Sequence, residues 1–404
     1  MSIYRYKARD NSGKRVSGTM EAGNKTELIE KLHKMGYMTT SVREGKGEEA
    51  LMSLLERFAR VRSDDMMIFY IQFSNMINSG IPILTALDIL GKQTENKHLR
   101  EAVGNVTRQV EAGMSLSQAF ASDVRVFPLL FINMVKAGEV SGKLDTVLIR
   151  YSVFFEHQED LKQKIKGAVF YPAILFTFGI AVTLFIVTFL IPQFAELYMK
   201  SGVKLPIPTL VVYKAGLAIK NYWYYMVIVT TLVIMWVRYY MGLPKGKVFF
   251  DKLILKIPVI GPLARKIAVA RFSRTLSTLL GSGVPILQSL DITRDIIGNE
   301  ILARVVDSAR QYVEKGEKMS EPLKISGEFP QDLVQMVYVG EETGNVDGML
   351  NKIADFYDMT TSYAIKKLTT IIEPLFLVVM GIMVGIIMAS MLMPIFDMVK
   401  TIKH

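Results

Sequence analysis

The chain has 404 residues, of which 50% are hydrophobic and 21% charged, with a net charge of +10 and a mean hydropathy of +0.28. This hydropathy is high for a soluble protein, so the composition indicates water-exposed domains joined to strongly apolar segments. Cysteine is absent, which excludes a disulfide framework and a thiolate metal site. In a membrane protein a positive excess serves topology and lipid contact, so the charge does not imply a nucleic-acid partner.

Residues 1–46 are predicted to form a small α/β module. Apolar and charged side chains alternate over residues 4–8, as in a β-strand, and a turn sequence and a second strand follow. A helix capped by Asn24 and closed by Gly36 leads into a last short strand. Behind this module, residues 47–65 are interpreted as a charged, glycine-bearing linker and an amphipathic helix.

The sequence contains an internal repeat. Residues 79–90 read SGIPILTALDIL and residues 282–293 read SGVPILQSLDIT, with eight of the twelve positions identical. Residues 138–148, GEVSGKLDTVL, match residues 340–350, GEETGNVDGML, at an offset of 202. Such constant spacing over about 120 residues predicts one fold used twice, with small loop changes.

Each copy is predicted to be a cytoplasmic bundle of about five or six short helices, over residues 66–166 and 268–372. Between the matching blocks, Met114-Ser115 match Met319-Ser320 only if two loop residues are inserted. In each SG[IV]P phrase, glycine is expected to end a helix in the left-handed conformation, and proline to set the first turn of the next helix. These repeated structural positions are Gly80, Pro82, Gly283 and Pro285.

Three predominantly apolar stretches, residues 167–195, 221–240 and 373–397, are predicted to cross a membrane, because a helix needs about 20 apolar residues to do so. The middle stretch is the shortest, and it is flanked by tyrosine and tryptophan, which favour membrane interfaces. The repeat aligns a proline near the start of each outer span, where a helix that is just opening tolerates it, and another near its end. These prolines are Pro172 with Pro374, and Pro192 with Pro394.

The charge distribution predicts the orientation of the spans. Residues 238–271 carry eight Lys or Arg against one acid, so the positive-inside rule puts residues 1–166 and 238–373 in the cytoplasm. Two units of the same polarity in series need one extra crossing between them, which residues 221–240 supply. The amino terminus is then cytoplasmic and the carboxyl terminus periplasmic. The other segments are a periplasmic loop (196–220), a basic cytoplasmic connector (241–267) and a periplasmic tail (398–404).

The sequence shows no arrangement that indicates catalysis, a cofactor or a metal ion. Residues 18–26, GTMEAGNKT, approach a phosphate-binding loop, but Asn24 separates the second glycine from Lys25, and the lysine must follow that glycine directly. The glycine–glutamate turns are the candidate contact sites. Either Ser141 and Thr343 cap the next helix, or the glutamate carboxylate is shared with a partner or a cation. The candidate positions are Gly138, Glu139, Gly142, Gly340, Glu341 and Gly344.

Five features together resemble the inner-membrane platform proteins of type IV pilus and type II secretion machines. They are the repeated SG[IV]P phrase, the G-E-x-[ST]-G turn, the [YE]-P pair at the entry and the [IM]-P-x-F pattern at the exit of each outer span, and the Y-x-Y-x-A leader. The resemblance covers essentially the whole chain. It implies a non-catalytic, multi-pass protein of the bacterial inner membrane, with six-helix cytoplasmic bundles, that forms homo-oligomers.

The same resemblance implies the partners. Such a platform lies in the lipid bilayer between a cytoplasmic hexameric assembly ATPase and pilin or pseudopilin subunits, beside other inner-membrane assembly proteins. It transmits ATPase motion so that the subunits are lifted into a filament. Between the two branches, the pilus branch is favoured.

A small-substrate membrane transporter built from parallel repeats is the alternative function. Transporters usually keep an ionisable group inside a span, whereas the apolar cores of these spans have none. A membrane-bound enzyme is the third class, and it would be favoured if the purified protein hydrolysed ATP without a partner.

Overall fold

The computed structural model describes residues 2–9, 15–22, 24–44, 61–200 and 205–402. Over these residues the protein is mainly helical, with two similar helical bundles, three long apolar helices and a small amino-terminal sheet. The predicted fold class, a mainly α membrane protein with a repeated bundle, is therefore confirmed. Most of the predicted linker, residues 47–60, lies outside the described residues.

The amino-terminal module is a three-stranded antiparallel sheet with one helix. Its elements are β1 (Ser2–Arg9), β2 (Arg15–Ala22), α1 (Lys25–Lys34) and β3 (Met38–Glu44), with strand order β2-β1-β3. Helix α1 begins where the side chain of Asn24 accepts a hydrogen bond from the backbone N–H of Glu27 at 2.8 Å. Leu28 and Leu32 are buried, and Gly36 follows the helix at φ 83°.

The first bundle is built from five short helices and the first turns of a long one. The short helices are α2 (Ser63–Asn78), α3 (Ile83–Gln93), α4 (Lys97–Glu111), α5 (Leu116–Ala121) and α6 (Leu129–Ser141). Gly80 has φ 81° between α2 and α3, and Pro82 stands directly before α3. The core is aromatic, since the rings of Tyr70, Phe131 and Tyr151 are all buried with centroids 4.7 to 4.8 Å apart.

The middle of the chain supplies the first two membrane helices and the connector. In chain order the elements are α7 (Leu144–Phe185), a π-helical segment (Ile186–Leu190), α8 (Ile191–Lys200), α9 (Ile207–Gly242) and α10 (Pro244–Lys256). In the predicted loop 196–220, residues 196–200 and 207–220 are helical; α9 begins directly behind Pro206 and has Pro208 in its first turn, where a helix accepts proline. The connector likewise contains a helix, α10.

The second bundle repeats the helices of the first. They are α11 (Ile260–Gly281), α12 (Ile286–Ile296), α13 (Glu300–Glu314), α14 (Ser320–Ser326), α15 (Gln331–Thr343) and α16 (Val346–Ile402). Gly283 has φ 83° and Pro285 precedes α12, as at the matching positions of the first bundle. The side chains of Asn96 and Asn299 cap the corresponding helices α4 and α13 in the same way.

The two bundles differ in what fills their cores. The positions that match Tyr70, Phe131 and Tyr151 are Ser273, Leu333 and Ile353, and the second core is largely aliphatic. The second bundle adds an ionic cluster, in which Arg274 donates to carboxylates of Asp355 and Asp358 at 2.6 and 2.7 Å and to the side-chain oxygen of Asn351 at 2.9 Å. This cluster fastens α11 to α16, the helix that continues toward the membrane.

Three helical stretches are long and apolar enough to cross a membrane by length and composition: Leu144–Leu197, Ile207–Gly242 and Val346–Leu392. The first and third helices begin inside the bundles. The prediction that a helix begins near Pro172 and near Pro374 is therefore wrong. Both prolines lie in the interior of continuous helices. A proline there removes one backbone hydrogen bond, which neighbouring helices can compensate in a membrane. Pro192 lies in the first turn of α8, and Pro394 lies within α16.

The outer two spans pack against each other. A Cβ at Gly179 of α7 would lie 3.0 Å from the sulfur of Met380 and 3.1 Å from the ring of Phe376. The hydroxyl of Thr183 donates to the sulfur of Met383 at 2.8 Å. The middle span crosses the π-helical segment, where Gly216 meets a backbone carbonyl so closely that any side chain would clash. Small residues thus permit close helix approach, as is typical of membrane interfaces.

We predict that Arg274→Ala lowers the free energy of unfolding of the second bundle by about 2 kcal/mol, because it removes three charge-assisted hydrogen bonds from a buried guanidinium. The pKa of Arg274 indicates this balance, since burial lowers it but the bonds to Asp358 and Asp355 raise it overall. Thermal unfolding of the full-length protein in detergent measures the effect. Arg265→Ala, which breaks a more exposed pair with Glu328, is the control. Equal midpoints for the two variants would contradict the prediction.

Candidate functional site at the paired glutamate turns

In each repeat a glycine–glutamate turn joins the last short bundle helix to the long membrane helix. Gly142 ends α6 at φ 67° and Gly344 ends α15 at φ 69°, in the left-handed region that suits glycine. The hydroxyls of Ser141 and Thr343 donate to backbone carbonyls four residues earlier, at 2.7 and 2.8 Å. They close the preceding helix, so the interpretation that they cap the next one is wrong.

The first glycine of each turn provides space for the next helix. Gly138 and Gly340 are both buried. A Cβ at Gly138 would lie 3.1 Å from the Cα of Leu144, and one at Gly340 would lie 2.9 Å from the Cα of Val346. These two glycines therefore pack against their own chain, where α6 meets α7 and α15 meets α16.

The glutamate of each turn binds the amino-terminal end of a short helix in its own bundle. Glu139 accepts hydrogen bonds from the backbone N–H groups of Leu116 at 2.5 Å and Ser117 at 3.0 Å. Glu341 accepts from the N–H groups of Met319 at 2.6 Å and Ser320 at 3.3 Å, and from the Ser320 hydroxyl at 2.6 Å. A carboxylate there satisfies backbone donors that lack a partner within the helix and opposes the positive end of the helix dipole.

These bonds also correct the alignment of the repeat. Because the two glutamates are equivalent, Leu116-Ser117 correspond to Met319-Ser320, at an offset of 203. The side chains agree, since Phe120 and Leu323, also 203 apart, are both fully buried. The two-residue insertion inferred from matching Met114-Ser115 is therefore wrong. The repeat instead loses one residue between α5 and α6, where the offset falls to 202.

Sequence reasoning identified the two glutamates but not what they bind. Their backbone partners lie 21 to 23 residues earlier in the chain, beyond the range of any local capping pattern. The available signal was that a glutamate follows glycine at the same place in both copies. Partner contact at the six candidate positions stays a prediction; Gly138 and Gly340 are buried, Glu139 and Glu341 are half-buried, and Gly142 and Gly344 are exposed.

The two turns open onto one cleft between the bundles. The cleft has a volume of about 460 Å³ and is lined by Ser141, Lys143, Thr146, Val147, residues 280–283, Ile286, Gly344, Val346 and Asp347. Leu279 and Val284 of the second repeat are buried in the core of the first bundle, and Gln288 donates to Asn133 at 2.8 Å. The bundles are thus packed directly together, with matching turns on either side of the cleft.

The cleft is lined by few charged side chains. Within the described ranges, no group of three or more His, Asp or Glu side chains is placed to hold a metal ion. The two charged side chains of the cleft are Lys143, directly after the first turn, and Asp347, at the start of α16, and the lining is otherwise small and polar or aliphatic. Val140, beside Glu139, is 85% exposed. In each turn the glutamate is thus bound within its own bundle, while a neighbouring side chain, such as that of Val140, is exposed.

The comparisons with known proteins follow the same division of the chain. A family model described as type II secretion system (T2SS), protein F, matches residues 69–192 and again residues 272–394. A second, described as type II secretion system protein F, N-terminal domain, matches residues 1–43. The two matched segments of the first model are the two structural repeats, each with its membrane span.

Full-length relatives are similar over nearly the whole chain. The type IV pilus assembly protein PilC of Thermus thermophilus is 38% identical, with 100% of both chains covered. PilC of Myxococcus xanthus is 35% identical, covering 98% of this chain and 95% of its own. The type II secretion system protein F of Xanthomonas campestris is 33% identical, with 100% of both chains covered.

We predict that Glu139→Gln and Glu341→Gln each lower the free energy of unfolding of their bundle by about 1–2 kcal/mol. Glutamine keeps the shape, but it removes the charge at the helix end and can turn an NH2 group toward backbone N–H donors. Glu342→Gln is the matched control, because Glu342 pairs with Lys318 at the surface, which contributes at most about 1 kcal/mol. Thermal unfolding in detergent measures the effect. Equal unfolding midpoints for Glu341→Gln and Glu342→Gln would refute the capping role.

Proposed function

The chain belongs to the type II secretion protein F family, and from that premise we propose that it is a non-catalytic platform in the bacterial inner membrane. In this role it couples a cytoplasmic assembly ATPase to the insertion or removal of pilin or pseudopilin subunits. Family membership already makes the chain an inner-membrane component of pilus or secretion assembly. The coupling, its partners and the orientation of the termini form the proposal.

The observation that supports coupling is the continuity of helices α7 and α16. Helix α7 has 42 residues, about 63 Å at roughly 1.5 Å per residue, and it starts directly behind the first glycine–glutamate turn. Helix α16 has 57 residues and starts behind the second turn. About 34 Å of α7 separates its start from residue 167, where the apolar stretch begins. A displacement at either turn therefore reaches the membrane along an unbroken helix.

The proposed orientation puts both bundles, and hence both turns, in the cytoplasm. The positive charge of residues 238–271 favours this side. The turns are then far from the membrane, at the level where a soluble ATPase can reach them. On the membrane side, Gly381 and Gly385 are exposed, with no atom within 4 Å of a Cβ at either position. They allow close approach of a partner helix, for which we propose the pilin or pseudopilin subunit.

A gene deletion tests the biological role. We expect cells that lack the protein to lose surface filaments or secreted proteins, and to regain them when the gene is restored. Filaments are counted by electron microscopy, and secreted proteins are assayed in the medium. Loss of filaments alone assigns the pilus branch, which the sequence favours, and loss of secretion alone assigns the secretion branch. Normal filaments together with normal secretion would exclude the proposed role.

A surface substitution tests ATPase contact without disturbing the turn. Charge reversal at Glu139 would confuse binding with folding, because that carboxylate holds α5. Val140→Lys instead places a cation at an exposed helix end, where it suits the helix dipole. We expect about tenfold less assembly ATPase to co-purify with the full-length protein, the loss typical of one disrupted interface side chain.

The control for this experiment is Val124→Lys. Val124 is 49% exposed and lies in the connection between α5 and α6, away from the turn. The Val124→Lys substitution introduces the same charge in the same bundle. Equal amounts of co-purified ATPase for wild type and both variants would contradict a contact at the first turn. That result would leave the gene-deletion test unaffected.

A further inference from the structure

We propose that the exposed face of helix α10 is a binding surface for anionic phospholipid headgroups. The face is a lysine stripe, which we define as Lys245, Phe249, Lys252, Leu253 and Lys256. The inference requires only that α9 spans the membrane. It does not depend on coupling to an ATPase.

The spacing of the lysine stripe puts its five residues on one side of the helix. They stand at positions i, i+4, i+7, i+8 and i+11, and residues so spaced are neighbours on a helix surface. All five are exposed, with Phe249 at 57% and Leu253 at 43%. The stripe therefore presents two apolar side chains between three cations.

The opposite side of α10 is already occupied. A carboxylate oxygen of Asp251 accepts a hydrogen bond from the backbone N–H of Glu300 at 2.7 Å, at the start of α13. Lys247 pairs with the carboxylate of Glu300 at 3.3 Å, and the ring of Phe250 lies 6.2 Å from that of Tyr240. These contacts hold α10 between the second bundle and the end of α9, and they direct the lysine stripe away from both.

The three lysines of the stripe have no counter-charge of their own. Among the residues that the structure describes, Lys245, Lys252 and Lys256 form no ion pair, although many other bundle cations do. Three like charges on one face repel one another, so the face is complementary to an anionic surface. Apolar side chains between lysines are the pattern of helices that lie at the boundary of headgroups and acyl chains.

The position of α10 in the fold selects a lipid as the anion. Helix α10 begins two residues after α9 ends, and Gly246 is in direct contact with the backbone carbonyl of Tyr240 in the last turn of α9. Exposed Tyr239 lies in the same turn and exposed Trp236 lies one turn earlier, and both are residue types that concentrate at the membrane interface. The nearest anions to this point are the headgroups of the leaflet that α9 has just left.

Tryptophan quenching by brominated lipids tests the proposal in the full-length protein. The two native tryptophans are removed by Trp223→Phe and Trp236→Phe, and Phe249→Trp puts a reporter in the lysine stripe. The protein is reconstituted in vesicles that contain equal mole fractions of phosphatidylcholine and phosphatidylglycerol, with bromine near the headgroup end of one lipid or the other. We expect brominated phosphatidylglycerol to quench at least about threefold more strongly than brominated phosphatidylcholine, because each lysine attracts anionic lipid.

Two matched triple variants identify the cause. Lys245→Gln, Lys252→Gln and Lys256→Gln together are expected to abolish the preference, as is about 0.5 M salt, which screens exposed charges. Lys136→Gln, Lys315→Gln and Lys352→Gln remove the same charge from exposed positions on the bundles and are expected to leave the preference unchanged. Equal quenching by both lipids, or a preference that survives the stripe variant, overturns the proposal. Absence of quenching by either lipid also overturns it, and would mean that water or protein covers the stripe.

Discussion

A chain can enter a bilayer twice in the same direction only if a third crossing brings it back between the two. The two bundles lie on the same side of the candidate spans, because Leu279 and Val284 of the second bundle are buried in the core of the first. Their membrane helices also run side by side, with Gly179 against Met380. Helix α9, which has no counterpart in the repeat, is long and apolar enough to be the return crossing that this arrangement requires.

The two outer helices differ in backbone geometry at the crossing with α9. Helix α9 meets α7 at its π-helical segment, where Gly216 contacts the carbonyl of Val187. A π-helical segment widens the backbone and leaves a helix turn without its usual bonding pattern. Helix α16 is α-helical through the matching positions. The two outer helices, which match in sequence, therefore differ in backbone geometry where α9 crosses the first of them.

How far the sequence predicts this structure depends on the range of the interaction. Local signals gave the left-handed Gly80 and Gly283 and the capping Asn24, because each acts within one turn of the chain. Hydropathy and self-similarity gave three spans and two bundles. The carboxylate bonds of the glutamate turns could not be read in this way, since they join segments more than twenty residues apart. The position of Pro172 inside a continuous helix could not be read from local signals either, because neighbouring helices can compensate the backbone hydrogen bond that a proline removes.

The two bundles differ in the number of membrane helices to which they are joined. At the start of α13 in the second bundle, the backbone is held by Asp251 from the connector, which continues into α9. At the start of α4 in the first bundle, Asn96 instead donates to Asp65 of the bundle's own helix α2 at 2.9 Å. Within the described ranges, the first bundle thus continues into one span, through α7, and the second into two, through α16 and α10. The second bundle is therefore tied to the membrane helices at two points and the first at one, and the first has its other support from the second, whose Leu279 and Val284 are buried in its core.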